Sequence, residues 1–180
     1  MQKATPQGVK SERGNVGDAI MYGFESIIDF NLRRALFDDN DFTLNTFVNL
    51  SIIESKYLNA LTPGVEGNKV EFVPNTNFKT GIKFGYKSFF TNVQFTYLSS
   101  QFTDASNAVS GGLSGVIGKI PSYNILDLSA SYQYNKFKLE VGVNNVMDNY
   151  YFTRRATGYP GPGIIPSPNR NFYTTWECKF

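Results

Sequence analysis

Apolar and polar residues alternate along most of the chain, and the alternation predicts seven β-strands. In the last segment, Phe172, Thr174 and Trp176 occupy one face, whereas Tyr173 and Thr175 occupy the other. A period of two residues is typical of a strand with one apolar and one solvated face. The predicted strands cover approximately residues Ile20–Leu32, Phe42–Ser55, Phe78–Tyr86, Phe89–Ser99, Tyr123–Tyr134, Phe137–Asn144 and Phe172–Phe180. The fold class is therefore predicted to be all-β.

The connections between the predicted strands alternate between short and long. Lys87-Ser88 and Asn135-Lys136 have the length of a hairpin turn, and the connection Arg33–Asp41 is slightly longer. The long connections are rich in Gly, Ser, Asn and Pro and cover residues Lys56–Asn77, Ser100–Ser122 and Phe152–Arg170. Transmembrane β-barrels have this arrangement, with short turns on the periplasmic side and longer loops outside.

Aromatic residues flank every short connection. They are Phe37, Phe42, Phe84, Tyr86, Phe89, Phe90, Tyr132, Tyr134 and Phe137, and Phe180 would lie at the same level. A ring of aromatic side chains at one height is typical of the membrane interface of a barrel. The alternative, a soluble β-sandwich, has little reason to collect aromatics at one end. We therefore predict antiparallel transmembrane strands whose polar faces line a lumen, with the ionisable residues Glu25, Asp29, Lys79, Lys83, Asp127 and Glu140 on those faces.

The count of seven strands is odd, whereas bacterial single-chain barrels have an even number. An odd piece would also leave two unpaired strand edges. The chain is therefore predicted to be the C-terminal part of a larger barrel. Residues 1–18 would be the remnant of an outer loop, and residues 19–180 would supply the barrel strands.

The composition of the chain excludes several classes of function. The net charge of +2, with no basic stripe, argues against a nucleic-acid partner. The absence of histidine excludes Ser-His-Asp and Cys-His triads and most zinc sites within these residues. The acidic segment Asp38–Asp41 lacks the spacing of a calcium loop. We therefore predict neither an enzyme nor a cofactor or metal site.

The segment Tyr151–Arg170 carries the strongest candidate chemistry. It holds Arg154, Arg155 and Arg170 and no acidic residue, so its local charge is positive. Guanidinium groups bind carboxylates through two parallel hydrogen bonds, which favours an anion-binding surface. A stiff, solvated loop kept soluble by its arginines is the alternative. Arg154 and Arg155 are the candidate ligand-binding residues.

The end of the chain resembles the C-terminal end of TonB-dependent outer-membrane receptors. The resemblance includes an Asn-Asn-x-x-Asp-x-x-Tyr element, a Pro-Gly-containing loop, an arginine and a closing aromatic strand. The matching residues are Asn144, Asn145, Asp148, Tyr151, Pro160, Gly161, Arg170 and Phe180. The stretch FTRRATGYPGPG is closer still to the ferric dicitrate receptor branch of that family.

The resemblance implies a barrel of about 22 strands that encloses a plug. It implies uptake of an iron chelate similar to ferric citrate, driven by the TonB complex through a plug that these residues do not include. Outer-membrane lipid and the barrel-assembly machinery would be further partners, and the C-terminus would face the periplasm. A passive porin-like or structural barrel without energised transport is the alternative, and an outer-membrane enzyme is disfavoured by the absence of histidine.

Overall fold

The chain forms a single large antiparallel sheet with two small hairpins. The computed structural model describes residues 2–4, 11–13, 17–38, 41–158 and 161–180. Its elements are β1 (Gln2–Ala4), β2 (Ser11–Arg13), β3 (Gly17–Asn31), α1 (Leu32–Leu36), β4 (Phe42–Ala60), β5 (Thr76–Tyr86), β6 (Phe89–Leu98), β7 (Tyr123–Tyr134), β8 (Phe137–Asn144), β9 (Phe152–Ala156), β10 (Gly163–Pro166) and β11 (Asn171–Cys178). Within the described part of the chain, no helix has the length and apolar character needed to cross a membrane.

Seven strands pair in the order β11-β8-β7-β6-β5-β4-β3. Every pairing in this sheet is antiparallel, so the prediction of seven antiparallel strands is confirmed. Among the described residues, β3 and β11 form the two edges of the sheet. The hairpins β1–β2 and β9–β10 lie outside the sheet, the first of them within the segment predicted as an outer loop.

Three long loops lie at one end of the sheet. Loop A covers residues 61–75, loop B covers residues 99–122, and loop C covers residues 145–170, including β9 and β10. The opposite end carries α1 and the two tight turns. These are the long-loop end and the short-turn end of the sheet.

The apolar face carries a row of aromatics at the short-turn end. The strand register places Phe42 opposite Tyr86, Tyr86 opposite Phe89, and Phe89 opposite Tyr132. The Phe37 and Phe42 rings meet edge to face at 5.4 Å. The row predicted from the sequence is therefore continuous across four neighbouring strands. Large apolar side chains elsewhere on this face are exposed, among them Phe24, Ile28, Ile82, Leu128 and Trp176.

Hydroxyl groups on the apolar face donate to the sheet itself. Thr46 Oγ1 donates to the carbonyl of Gly81 at 2.9 Å, and Thr80 Oγ1 donates to the carbonyl of Phe47 at 2.8 Å. Thr91 Oγ1 donates to the carbonyl of Ser129 at 2.9 Å. A hydroxyl without a partner is costly in hydrocarbon, so these bonds let threonine occupy an apolar surface.

Three aromatic rings on the polar face lie across glycines of the neighbouring strand. A methyl group added at the glycine would come within 3 Å of the ring in each case, because the ring occupies the space that the glycine leaves. The pairs are Phe47 with Gly81, Phe90 with Gly85, and Tyr173 with Gly142. The polar face therefore accommodates large rings close to the backbone of the sheet.

β4 begins at Phe42 as predicted, and its C-terminal end differs from the predicted one. The strand continues to Ala60, and its residues beyond Ile52 pair with β3 and with no residue of β5. The β3–β4 hairpin therefore projects past β5 by roughly 27 Å at 3.4 Å per residue. The predicted turn Arg33–Asp41 contains most of α1. Asn31 caps that helix by accepting a hydrogen bond from the N–H of Arg34 at 2.9 Å.

Buried apolar side chains are concentrated at the long-loop end. Val65 is 2% exposed, Ala105 4%, Ile120 1% and Ala156 4%, and they belong to loops A, B and C. They are the buried hydrophobic residues of the described chain. The buried apolar side chains of the described residues therefore belong to loops A, B and C and not to the sheet.

Candidate functional site

The Asn-Asn-x-x-Asp-x-x-Tyr element forms the base of loop C. Asn145 and Asp148 both adopt left-handed backbone conformations, with φ of 52° and 55°. The N–H of Asp148 donates to the carbonyl of Asn145 at 2.9 Å, which closes the turn. Asn and Asp enter this conformation more readily than other side chains. The element therefore reverses the chain immediately after β8.

Asn145 is the buried centre of this turn, with only 2% of its surface exposed. Its Oδ1 accepts the N–H of Asn149 at 3.0 Å, and its Nδ2 donates to the carbonyls of Asn149 at 2.9 Å and Pro168 at 3.5 Å. Its own N–H donates to Asp127 Oδ1 at 2.9 Å. Asn145 thus joins β7, the turn and the far end of loop C.

Further contacts attach the two ends of loop C to the sheet. Asn149 Nδ2 donates to both the carbonyl and the Oδ1 of Asn124, at 2.9 and 2.8 Å. Asn144 Nδ2 donates to Asn171 Oδ1 at 2.9 Å. The N–H of Arg170 donates to Asp148 Oδ1 at 2.9 Å. These side chains hold the loop at its two ends and leave its middle to project.

Arg170 and Tyr151 make further contacts at the base of loop C. Arg170 Nε donates to the carbonyl of Val146 at 2.9 Å. The Tyr151 ring lies 4.7 Å from the Tyr123 ring, and the carbonyl of Tyr151 accepts the N–H of Ser167 at 3.0 Å. The structure therefore brings five of the family-motif residues together at the base of loop C. They are Asn144, Asn145, Asp148, Tyr151 and Arg170.

The remaining predicted motif residues lie elsewhere. Gly161 is exposed, and a methyl group added there would meet nothing within 4 Å. Phe180 is fully exposed beyond the end of β11. Pro160 lies outside the described residues.

The two candidate arginines of β9 have different environments. Arg154 is exposed and, among the described residues, has no hydrogen-bond or ion-pair partner. Arg155 is half-buried, and its guanidinium reaches loop B. Its Nη1 donates to the carbonyl of Gly115 at 2.8 Å and its Nη2 to the carbonyl of Lys119 at 3.1 Å. Its Cζ also lies 5.2 Å from the centre of the Phe152 ring.

Loop B was predicted from its composition to be a long connection, and its packing against loop C was missed. A methyl group at Gly111 would lie 3.0 Å from Arg155 Nη1, and one at Gly115 would lie 3.4 Å from Gly163 Cα. The glycines therefore permit close contact between the two loops. Backbone carbonyls that accept from a distant arginine have no signature in the sequence.

The polar face of the sheet has a concave region near its β3 edge. A cavity of about 630 Å³ is lined by Glu25, Ser26, Ile27, Asn49, Ser51, Ile53, Pro74 and Asn77. Ser51 Oγ donates to Glu25 Oε1 at 3.1 Å, so the one carboxylate that lines the cavity is already hydrogen-bonded. Of the six ionisable residues predicted on the polar faces, only Glu25 contributes here.

A partly buried hydrogen bond joins Tyr57 to Glu71 of loop A. Tyr57 lies on the part of β4 that projects past β5, and its hydroxyl donates to Glu71 Oε2 at 2.6 Å. Burial, the hydrogen bond to Glu71 and the negative charge of Glu71 together raise the pKa of Tyr57 to about 12, and burial is the largest of the three causes. The phenol is therefore neutral at physiological pH and fixes loop A against the projecting hairpin.

A comparison with protein families and with solved structures gives consistent matches. The family model described as "TonB dependent receptor-like, beta-barrel" matches residues 2–146. The ferric citrate transporter FecA in its unliganded form superposes with a TM-score of 0.80 at 22% identity, covering 91% of this chain and 25% of that one. The ferric yersiniabactin uptake receptor FyuA from Yersinia pestis gives a TM-score of 0.70 at 18% identity, covering 92% and 24%.

A third solved structure with a similar fold is a copper transporter. The copper transporter OprC gives a TM-score of 0.64 at 16% identity, covering 91% of this chain and 24% of that one. At these identities the superpositions establish a shared fold. The chain spans about a quarter of the length of each of these structures.

Proposed function

This chain belongs to the TonB-dependent receptor-like β-barrel family, and on that basis we propose that it is the C-terminal barrel segment of a receptor for an iron chelate. The barrels of this family are transporters of the Gram-negative outer membrane. The proposed ligand is an anionic chelate similar to ferric citrate, taken up with energy from the TonB complex through a plug. The polar face of the sheet would line the lumen, and the C-terminus would face the periplasm.

The observation that carries the choice of ligand is the exposed Arg154 on a firmly anchored loop C. Its guanidinium has no protein partner among the described residues, so its hydrogen-bond donors are available. Arg155 adds a second positive charge to the same strand. A citrate-type chelate presents carboxylates, which guanidinium groups bind through charge-assisted hydrogen bonds. The likeness of the fold to the ferric citrate transporter FecA supports the same ligand class.

Charge removal on β9 tests the proposal. In the complete receptor, we expect Arg154→Ala to weaken binding of ferric citrate about tenfold or more, since a hydrogen bond to a charged group contributes about 1.5–3 kcal/mol. Arg154→Ala combined with Arg155→Ala should weaken it further. Equilibrium binding of radiolabelled ferric citrate measures the effect.

Arg34→Ala is the matched control, because it removes the same charge at the short-turn end of the sheet. Its affinity should equal that of the unmodified receptor. Equal affinity for the Arg154→Ala receptor would leave the arginines as residues that keep the loop soluble. A loss of affinity that is the same for a neutral ferric hydroxamate would contradict recognition of carboxylates.

A further inference from the structure

The three outer loops of this chain are connected to one another by hydrogen bonds. Between loops A and B, Asn107 Oδ1 accepts the N–H of Lys69 and Asn107 Nδ2 donates to the carbonyl of Lys69, both at 2.8 Å. Asn68 Nδ2 donates to the carbonyl of Ala105 at 2.9 Å. The N–H of Phe72 donates to the carbonyl of Phe102 at 2.9 Å. Loops A and B therefore pair at several points.

Between loops B and C, Arg155 is the side chain that makes the connection. Two separate nitrogens of one guanidinium donate to the carbonyls of Gly115 and Lys119, which lie on opposite sides of a bend in loop B. Ala156, the next residue, is buried. The planar guanidinium presents its donors in a fixed fork, and a lysine ammonium lacks this geometry.

We propose that Arg155 is a positioning residue that joins the β9–β10 hairpin to loop B and thereby fixes the place of Arg154. The proposal rests on the proposed function, in which Arg154 contacts the chelate. The two adjacent arginines then have separate roles. Arg154 is exposed and has no partner within the described part of the chain, whereas Arg155 uses its donors to hold the strand that carries Arg154.

The physical consequence concerns the fraction of time that Arg154 is correctly placed. Asn145 and Arg170 hold loop C at its two ends. These contacts alone do not fix the position of β9 and β10 relative to loop B. An apparent affinity falls in proportion to the population of the binding-competent arrangement. If loss of the fork reduced that population to about a tenth, affinity would fall about tenfold.

Distance measurements between loops B and C test the connection without any ligand. Nitroxide labels are placed at Leu113→Cys and Thr157→Cys, both exposed, in the complete receptor with Cys178→Ser and any other cysteine replaced. Pulsed electron paramagnetic resonance then gives the distribution of distances. We expect a narrow distribution with Arg155 present and a broad one in Arg155→Lys. The lysine keeps the positive charge but cannot make both hydrogen bonds of the guanidinium.

Gly111→Ala is a second variant that leaves the arginine unaltered, because its added methyl group would lie 2.9 Å from the carbonyl oxygen of Ile117 in loop B and 3.0 Å from Arg155 Nη1. It should broaden the same distribution. Gly158→Ala is the matched control, since a methyl group there meets nothing within 4 Å. Heat-modifiable electrophoretic mobility of each variant verifies that the barrel has folded.

Ferric citrate binding by the same variants separates the two proposals. A broad distance distribution together with about tenfold weaker binding in Arg155→Lys supports both the connection between loops B and C and the proposed function. A broad distribution with unchanged binding supports the connection and contradicts the role of Arg154 in binding the chelate. Distances that stay narrow in both Arg155→Lys and Gly111→Ala overturn the positioning role.

Discussion

Lys87 and Asn135 each begin a two-residue hairpin turn with φ of 51°. Glycine, asparagine and aspartate enter this left-handed region at lower cost than lysine does. The same backbone position is thus occupied by a favourable residue in one turn and an unfavourable one in the other. Lys87 gains a partial offset, because its Nζ lies 5.1 Å from the centre of the Tyr86 ring.

An exchange of the two residues tests this cost. We expect Asn135→Lys to lower the free energy of unfolding by about 0.5–1 kcal/mol, and Lys87→Asn to raise it by less, since the contact with Tyr86 is lost. Urea unfolding of the receptor in lipid vesicles measures both changes. A change of the same sign in the two variants would contradict the explanation by backbone conformation.

The ring of Tyr173 lies directly over Gly142 and leaves no space for a side chain there. A methyl group at Gly142 would lie 2.2 Å from Tyr173 Cε1, and the tyrosine hydroxyl donates to Glu140 Oε1 at 3.3 Å. Gly142→Ala should therefore displace the ring and destabilise the protein by about 1–3 kcal/mol. In a double-mutant cycle with Tyr173→Ala, most of this cost should disappear.

Unfolding in denaturant again provides the measurement, and Gly158→Ala serves as the control because its surroundings are open. Additive effects of Gly142→Ala and Tyr173→Ala would show that the ring does not depend on the glycine. Neither the aromatic nor the glycine alone indicates this pairing in the sequence. The register of β8 with β11 places them opposite each other.

At the scale of elements, loop C combines an anchored base with a projecting hairpin. The Asn-Asn-x-x-Asp-x-x-Tyr element was identified in the sequence by resemblance alone, and the structure gives its physical role. Asn145 supplies both a left-handed backbone and an amide that bonds to two other segments. These two contributions can be separated experimentally.

Asn145→Gly keeps the backbone conformation and removes the amide, whereas Asn145→Ala removes both. We expect Asn145→Gly to cost about 1–3 kcal/mol through unpaired buried groups, and Asn145→Ala to cost about 1 kcal/mol more. Limited proteolysis should cut loop C faster in both variants while the sheet remains protected. Equal cleavage rates in the two variants would assign no cost to the backbone conformation.

The strands of the sheet were predicted well, and one of their ends was not. Most predicted strand ends agree with the structure to within three residues, and the C-terminal end of β4 is the exception. Alternation in Phe42–Ser55 located β4, yet the strand continues to Ala60, because residues there pair with β3 and not with β5. Pairing partners decide where a strand stops, and period-two patterning does not report them. The same reason explains why β9 and β10 were placed within a loop.

For the whole molecule, the apolar face of the sheet carries large exposed side chains, and the buried apolar side chains of the described chain lie in the outer loops. A water-soluble protein would place its core against the sheet. In the proposed receptor, contact with lipid would account for this arrangement, since hydrocarbon is a suitable solvent for exposed Phe, Ile, Leu and Trp.

Trp176 is the single tryptophan of the chain, is 66% exposed and packs at 5.8 Å against the ring of Phe137. Lipids with brominated acyl chains should quench its fluorescence, obtained as the difference between the receptor and its Trp176→Phe variant. A tryptophan introduced on the polar face, Tyr173→Trp in the Trp176→Phe background, should be quenched much less. Equal quenching at both positions would contradict the assignment of the two faces.

The sequence by itself determined the all-β class, the seven strands, their two unlike faces and the aromatic row, because each follows from the period of side chains along a single strand. It also contained the residues of the loop C base and the two arginines of β9. Only the tertiary structure decided that Arg154 has no partner among the described residues and that Arg155 is bound to the carbonyls of loop B. Adjacent residues of the same type are equivalent in a pattern, and they become different only when distant segments supply the hydrogen-bond acceptors.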